Sequence, residues 1–146
     1  MRIRDICSST VQVIGPSESV RRAAARMRDH EVGSLVVVDD IGLPVGIITD
    51  RDLVVRALTS DADPGAIPIE HVMSRGVETI AEDRAVEDAV EHMSDSSVGR
   101  LVVVDSKGLL TGLLSVDDVL VHVTGEVARI GSLAAERRFA HSLSDH

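Results

Sequence analysis

Two short segments carry the side chains best suited to chemistry. Gly46-Ile47-Ile48-Thr49-Asp50-Arg51-Asp52 and Gly112-Leu113-Leu114-Ser115-Val116-Asp117-Asp118 each set a hydroxyl three positions ahead of a carboxylate, where an apolar run gives way to a helical pattern. At a helix start that spacing satisfies orphan backbone donors, because hydroxyl and carboxylate each accept from the other residue's amide. The same groups have a second use. They can accept from the vicinal hydroxyls of a ribose, while the free amides of the first turn favour a phosphate. The spacing alone leaves both readings open.

Other chemistry finds less support. His30, His71, His92, His122, His141 and His146 have no metal-ligand spacing. Asp39 and Asp105 each open a four-residue stretch closed by glycine, Gly42 or Gly108, which is turn chemistry rather than a catalytic carboxylate pair. No serine or cysteine sits in a triad context and no glycine-rich phosphate loop precedes a lysine, so neither an enzyme nor a resident metal or cofactor is expected. Cys7 is the only cysteine, which forbids an intrachain disulfide and fits a reducing cytoplasm.

Charge and hydropathy narrow the partners. A net charge of −9 argues against nucleic acid, whose binders need clustered Lys and Arg, yet a few local donors can still hold a small anion. Runs such as Leu35 to Val38 are far too short to cross a membrane, and the amino terminus lacks a basic stretch followed by an apolar one. A cytoplasmic location with no membrane partner is expected. Phe139 is the one aromatic residue, so the core must be aliphatic and no Trp or Tyr can stack on a base.

The elements that position the two segments form an internal repeat. Ser19 to Val54 aligns without a gap on Ala85 to Leu120 at an offset of 66, pairing Val20 with Val86, Met27 with Met93, Gly33 with Gly99, Gly46 with Gly112 and Asp52 with Asp118. Each copy reads in the same order. Val11 to Ile14, or Val77 to Ile80, is a short β-prone run. An amphipathic helix follows, with Val20, Ala23, Ala24 and Met27, or Val86, Ala89, Val90 and Met93, on one stripe. The runs Leu35 to Val38 and Leu101 to Val104 read as strands buried on both faces. A turn leads to a second strand ending at Thr49 or Ser115, and a closing helix begins there.

This gives an α+β chain of two β-α-β-β-α repeats, at 5–60 and 71–123, joined by a linker over 61–70 and followed by a tail over 124–146. One repeat of about 50 residues is too small for a comfortable core of its own. The copies are therefore expected to pack sheet to sheet about a pseudo-twofold axis. In the tail, Val127, Ile130, Leu133 and Ala134 fall at helical spacing, predicting a helix over Glu126 to Ala140 whose apolar stripe needs burial, across the repeats or against a second chain.

The ordered set S-V-x-x-A-x-x-x-M, V-G-S-L-V-V-V-D-x-x-G and G-I-I-T-D-R-D-L, occurring twice over about residues 5 to 123, resembles the cystathionine β-synthase (CBS) domain pair. The resemblance implies a regulatory module that often dimerises and holds adenosine-type ligands, such as AMP, ADP, ATP or S-adenosylmethionine, in clefts between the repeats. It assigns ribose to Thr49 with Asp52 and to Ser115 with Asp118. It places adenine near Val32 and Gly33, and near Val98 and Gly99, each facing the ribose motif of the opposite repeat. Arg100 occupies a position where the family often contacts phosphate. Arg51 lies within the first ribose motif, whereas its counterpart is Asp117, so the copies differ in charge. A nucleotide sensor that signals to a downstream protein, as a homodimer, is the reading this implies; the alternative is a ligand-free dimeric scaffold whose T/S-x-x-D motifs are caps alone.

Overall fold

A computed structural model describes residues 1–144; His146, at the end of the tail, lies outside the described residues. The first repeat contains β1 (Val13–Ile14), α1 (Val20–His30), β2 (Ser34–Val38), β3 (Pro44–Thr49) and α2 (Asp50–Asp52), which runs on as a π-turn over Leu53–Ala57. The second contains β4 (Thr79–Ala81), α3 (Val86–Ser96), β5 (Arg100–Val104), β6 (Leu110–Ser115) and α4 (Val116–Ser144). Each sheet has three strands, with the first parallel to the second and the second antiparallel to the third. The architecture is α+β. Both opening strands are shorter than, or shifted from, the β-prone runs, and Val11 and Val77 lie outside them.

Local chemistry explains the matching elements. The Ser19 hydroxyl accepts from the Arg22 amide and starts α1, which buries Val20, Ala23 and Met27; α3 buries Val86, Ala89 and Met93. Ala24 and Val90, expected on the same stripes, are exposed, so each buried stripe is narrower than the spacing implies. Both helices end on a residue in the left-handed region, Glu31 and Ser97, each at φ 53°. In the tight turns, Asp39 Oδ1 accepts from the amides of Ile41 and Leu43, and Asp105 Oδ1 from those of Lys107 and Leu109. Gly42 and Gly108 close these turns at φ 86° and 82°, where a side chain would be strained. Turn formation thus accounts for both aspartates.

The central strands are buried on two sides. Leu35 and Val37 point into one core with Ile48, and Leu101 and Val103 into the other with Leu114. Val36 and Val102 alternate to the opposite face and are fully buried there, between the two sheets. The two turns also meet: a Cβ on Gly42 would stand 3.9 Å from Leu109 Cδ2, and one on Gly108 would stand 3.8 Å from Leu43 Cδ2. The sheets pack face to face with pseudo-twofold symmetry.

The segment ahead of each first strand belongs to the other repeat's core. Ile3 is fully buried among Ile80, Val86, Leu101 and Leu114, and its amide donates to Arg84 O at 2.9 Å. Reciprocally, Ile67, Ile69, Val72 and Met73 complete the core of α1 and β2, and the Ile69 amide donates to Glu18 O at 2.8 Å. Ser8 pairs with Leu113 and Ser74 with Ile47 through two backbone hydrogen bonds each. The stretch read as a linker therefore delivers Ile67 and Ile69 into the first core.

The closing helix of the second repeat and the helix expected over Glu126 to Ala140 are one continuous element. α4 continues unbroken to Ser144, through Gly125 and Gly131, because no proline interrupts it and neither glycine takes a left-handed conformation. From Val123 to Arg137 its side chains are exposed, save Glu126, which is half-buried.

Gly46 and Gly112 are glycine because the crossing segments pass over them. A Cβ on Gly46 would lie 2.6 Å from Met73 Sδ and 2.9 Å from Ser74 O; one on Gly112 would lie 2.8 Å from Cys7 Sγ and 2.9 Å from Ser8 O. Gly112→Ala should therefore destabilise the protein by about 1–3 kcal/mol, the range for overpacking. Lys107→Ala, at an exposed turn, should change stability by no more than about 0.5 kcal/mol. Urea denaturation of both variants checks this, and equal midpoints would count against the crossing.

Candidate functional site

The strand registers assemble each candidate site at the open end of a hairpin. Ser34 stands opposite Thr49 and Arg100 opposite Ser115, while the Asp50 amide donates to Gly33 O and the Val116 amide to Gly99 O, both at 2.9 Å. Val32 and Gly33 are thus brought beside Thr49, and Val98, Gly99 and Arg100 beside Ser115, within one repeat. Strand alternation places Ser34, Thr49, Arg100 and Ser115 on the face shared with Val36 and Val102, the face between the sheets. They lie about 15 Å from the turns, at some 3.3 Å per residue.

Both hydroxyl–carboxylate pairs form complete capping boxes. The Thr49 amide donates to Asp52 Oδ2 at 3.0 Å and the Asp52 amide to Thr49 Oγ1 at 3.2 Å. Ser115 and Asp118 repeat this at 2.9 and 3.1 Å. The caps leave capacity unused, since an ionised carboxylate has about four lone-pair sites and a hydroxyl keeps its own proton. Asp52 is buried and Asp118 half-buried. Arg51 and Arg100 are both exposed, and among the described residues neither enters a salt bridge.

One residue that supports the first cap has no signal of its own in the sequence. Arg56, one helical turn beyond Asp52, donates through Nη1 to Val72 O at 3.2 Å and Met73 O at 3.5 Å, and its Nε lies 3.8 Å from Asp52 Oδ1. It thereby ties the cap to the crossing segment. The offset of 66 could have flagged it, because it maps Arg56 onto His122. Beside His122 lies an open cavity of about 260 Å³, lined by Ile6, Asp118, Val121 and His122.

Elsewhere, Glu78 and His92 are 2.7 Å apart on the outer side of the second repeat. No group of three His, Cys, Asp or Glu among the described residues is disposed to hold a metal ion. Burial pushes the Cys7 thiol up from its ordinary range, and the negative charges of Asp118, Glu82 and Asp5 act in the same direction against a backbone hydrogen bond.

Two outcomes follow. Asp118→Ala should cost about 1 kcal/mol, the usual worth of a cap, and Asp52→Ala more, because it also strips Arg56 of its carboxylate; thermal denaturation of the pair checks the order. Because the thiolate is the nucleophile, Cys7 should react with iodoacetamide at about pH 8 more slowly than free cysteine. Equal rates would contradict the burial assigned to it.

Comparison with known proteins agrees with this geometry. The CBS domain profile matches residues 3–58 and 69–125, one match per repeat. An uncharacterized protein of Methanopyrus kandleri is 38% identical over 105 residues, covering 72% of this chain but only 54% of that protein. The CBS domain-containing protein YhcV of Bacillus subtilis is 30% identical over 120 residues, covering 82% of this chain and 84% of its own. Among solved structures, the CBS domain pair of protein MJ0100, in complex with 5′-methylthioadenosine and S-adenosyl-L-methionine, superposes with a TM-score of 0.75 at 28% identity, over 86% of this chain and 98% of that one. Protein PAE2072 of Pyrobaculum aerophilum, at 23% identity over 81% and 89% of the two chains, shares the fold with a TM-score of 0.71. With both repeats matched and the sheets, caps and crossing segments in place, this chain belongs to the CBS domain family.

Proposed function

We propose that the chain is a regulatory module that binds an adenine nucleotide, or a related adenosyl ligand, between its repeats and signals to a partner protein by a shift in conformation. The observation that carries this is the duplicated cap. Two hydroxyl–carboxylate pairs, whose hydroxyl residues Thr49 and Ser115 close strands on the inter-sheet face, have spare acceptor capacity. The exposed Arg51 and Arg100, without salt-bridge partners among the described residues, belong to the same hairpin ends. Thr49 with Asp52 and Ser115 with Asp118 would hold ribose, and Val98 with Gly99 and Val32 with Gly33 would line the base. The adenosyl ligands held by the MJ0100 domain pair support that ligand class. Binding moves a conformational equilibrium only through differential affinity for its two states.

The charges differ between the clefts. Arg51 stands in the first motif where the second has Asp117. Although the register sets Arg100 opposite Ser115 and Ser34 opposite Thr49, a preference for phosphate beside Thr49 and Asp52 follows if Arg100 reaches across from the second repeat. A phosphorylated nucleotide should prefer the first cleft by at least about tenfold, equivalent to about 1.4 kcal/mol. Calorimetric titration of AMP should lose the tight site in Asp52→Ala and keep it in Asp118→Ala. The reverse result would overturn the pairing of clefts.

A second reading rests on the caps themselves, which account for both motifs without a ligand. It describes a scaffold. A thermal-shift series with AMP, ADP, ATP and S-adenosylmethionine separates the two, since ligand at a hundred times its Kd stabilises by about 2.7 kcal/mol. No shift with any of them favours the scaffold.

Either reading includes a homodimer. Val54, Val55 and Leu58 of the first repeat and Val116, Leu120, Val123, Val127 and Ile130 of α4 are exposed apolar side chains. In proteins most helical stability comes from packing an apolar face against a neighbour, and the stripe on this part of α4 has none among the described residues. A second copy covering this stripe supplies that packing. Val127→Glu combined with Ile130→Glu should convert a dimer to a monomer in sedimentation velocity, and an unchanged dimer would exclude α4 from the interface.

A further inference from the structure

The two repeats treat one structural position differently. In the first, the guanidinium of Arg56 fills the space between the cap carboxylate of Asp52 and the carbonyls of Val72 and Met73 on the crossing segment. The offset of 66 maps these groups onto Asp118, Ile6 and Cys7, and the crossing segments pair equivalently through Ser8 with Leu113 and Ser74 with Ile47. The cation is what changes. His122 replaces Arg56, is shorter, and makes no hydrogen bond or salt bridge to Asp118, Ile6 or Cys7 among the described residues. The cavity of about 260 Å³ lined by Ile6, Asp118, Val121 and His122 lies where the guanidinium would be.

We propose that this cavity is a binding site for a small organic cation with a guanidinium head group. Asp118 supplies the charge through the oxygen its cap does not use, the carbonyls of Ile6 and Cys7 accept the head group's N–H donors, and Ile6 and Val121 flank the attached carbon. A planar guanidinium with a fixed fork of donors suits that set of acceptors, and the first repeat holds such a group on the matching atoms. The volume lies just below the ~300 Å³ at which pockets for drug-sized ligands begin, which fits a head group with a short alkyl stem. A net charge of −9 concentrates cations at the surface. No group of three His, Cys, Asp or Glu side chains is disposed there among the described residues, and the planar fork of donors held in the first repeat favours an organic cation. The site shares Asp118 with the ribose assignment above, but its test uses no nucleotide, so the two readings can fail separately.

The test uses the full chain and ethylguanidinium chloride, with potassium chloride of equal ionic strength as control. Amide resonances of Ile6, Cys7, Asp118 and His122 should shift saturably in the millimolar range while those of Val72 and Met73 stay still. His122→Arg supplies the cation covalently, so it should weaken binding at least tenfold and raise the melting temperature. Arg56→Ala should create a second saturable site, with shifts now at Val72 and Met73, and its lost stability should be partly restored by the probe. Linear, unsaturated shifts, the same shifts with potassium, or unchanged binding to His122→Arg would each overturn the proposal. The gain of a site in Arg56→Ala is read independently of whether His122→Arg folds.

Discussion

The reciprocal crossing of two short segments is the constraint on which the rest depends. Ile3 to Ser8 completes the core of the second repeat and Ile67 to Ser74 that of the first, so neither copy contains all of its own hydrophobic centre. Removing either segment would expose fully buried isoleucines, each worth about 1.5–3 kcal/mol of burial. The crossing also fixes the glycine at the start of each G-x-x-T/S-x-x-D motif, because backbone and sulfur atoms of the other segment occupy the space of its Cβ. The motif thus joins a packing residue at one end to a capping carboxylate at the other.

That connection gives the candidate sites mechanical reach. Thr49 ends the strand on which Ile47 pairs with Ser74, and the chain runs from Ser74 into β4 of the other sheet. Ser115 is linked in the same way through Leu113 and Ser8 to β1. A group bound at either cap bears on backbone shared by both repeats. The nearly symmetric scaffold carries asymmetric charge, with Arg51 matched by Asp117, Ser34 by Arg100 and Arg56 by His122. Duplication supplies two similar frames, and substitution at these few positions gives them different charge.

Much of this was legible in the residues because it rests on local pattern. The offset of 66, the Asp-to-Gly turns and the caps depend on neighbours in sequence, and the structure places them accordingly; the helical stripes hold for three of their four residues, Ala24 and Val90 being exposed. The crossing was not legible, since nothing in Ile3 or Ile69 says which of two similar cores will bury it. Gly46 and Gly112 were matched as a pair, but their cause is a tertiary contact. Nothing local to Arg56 names its partners, and only the carbonyls of Val72 and Met73 give it a role. The joining of the closing helix to the tail helix was not legible because the tail has no counterpart in the first repeat and Gly125, costing about 1 kcal/mol relative to alanine, stands at the junction.

The central claim is that the two caps are parts of ligand sites built jointly by both repeats. Hydrogen exchange with and without saturating AMP, followed amide by amide, addresses it directly. The account predicts added protection at Thr49 to Asp52 together with Val98 to Arg100, one group from each repeat and both on the face between the sheets. Unchanged exchange at all of these amides, or protection confined to a single repeat, would contradict it.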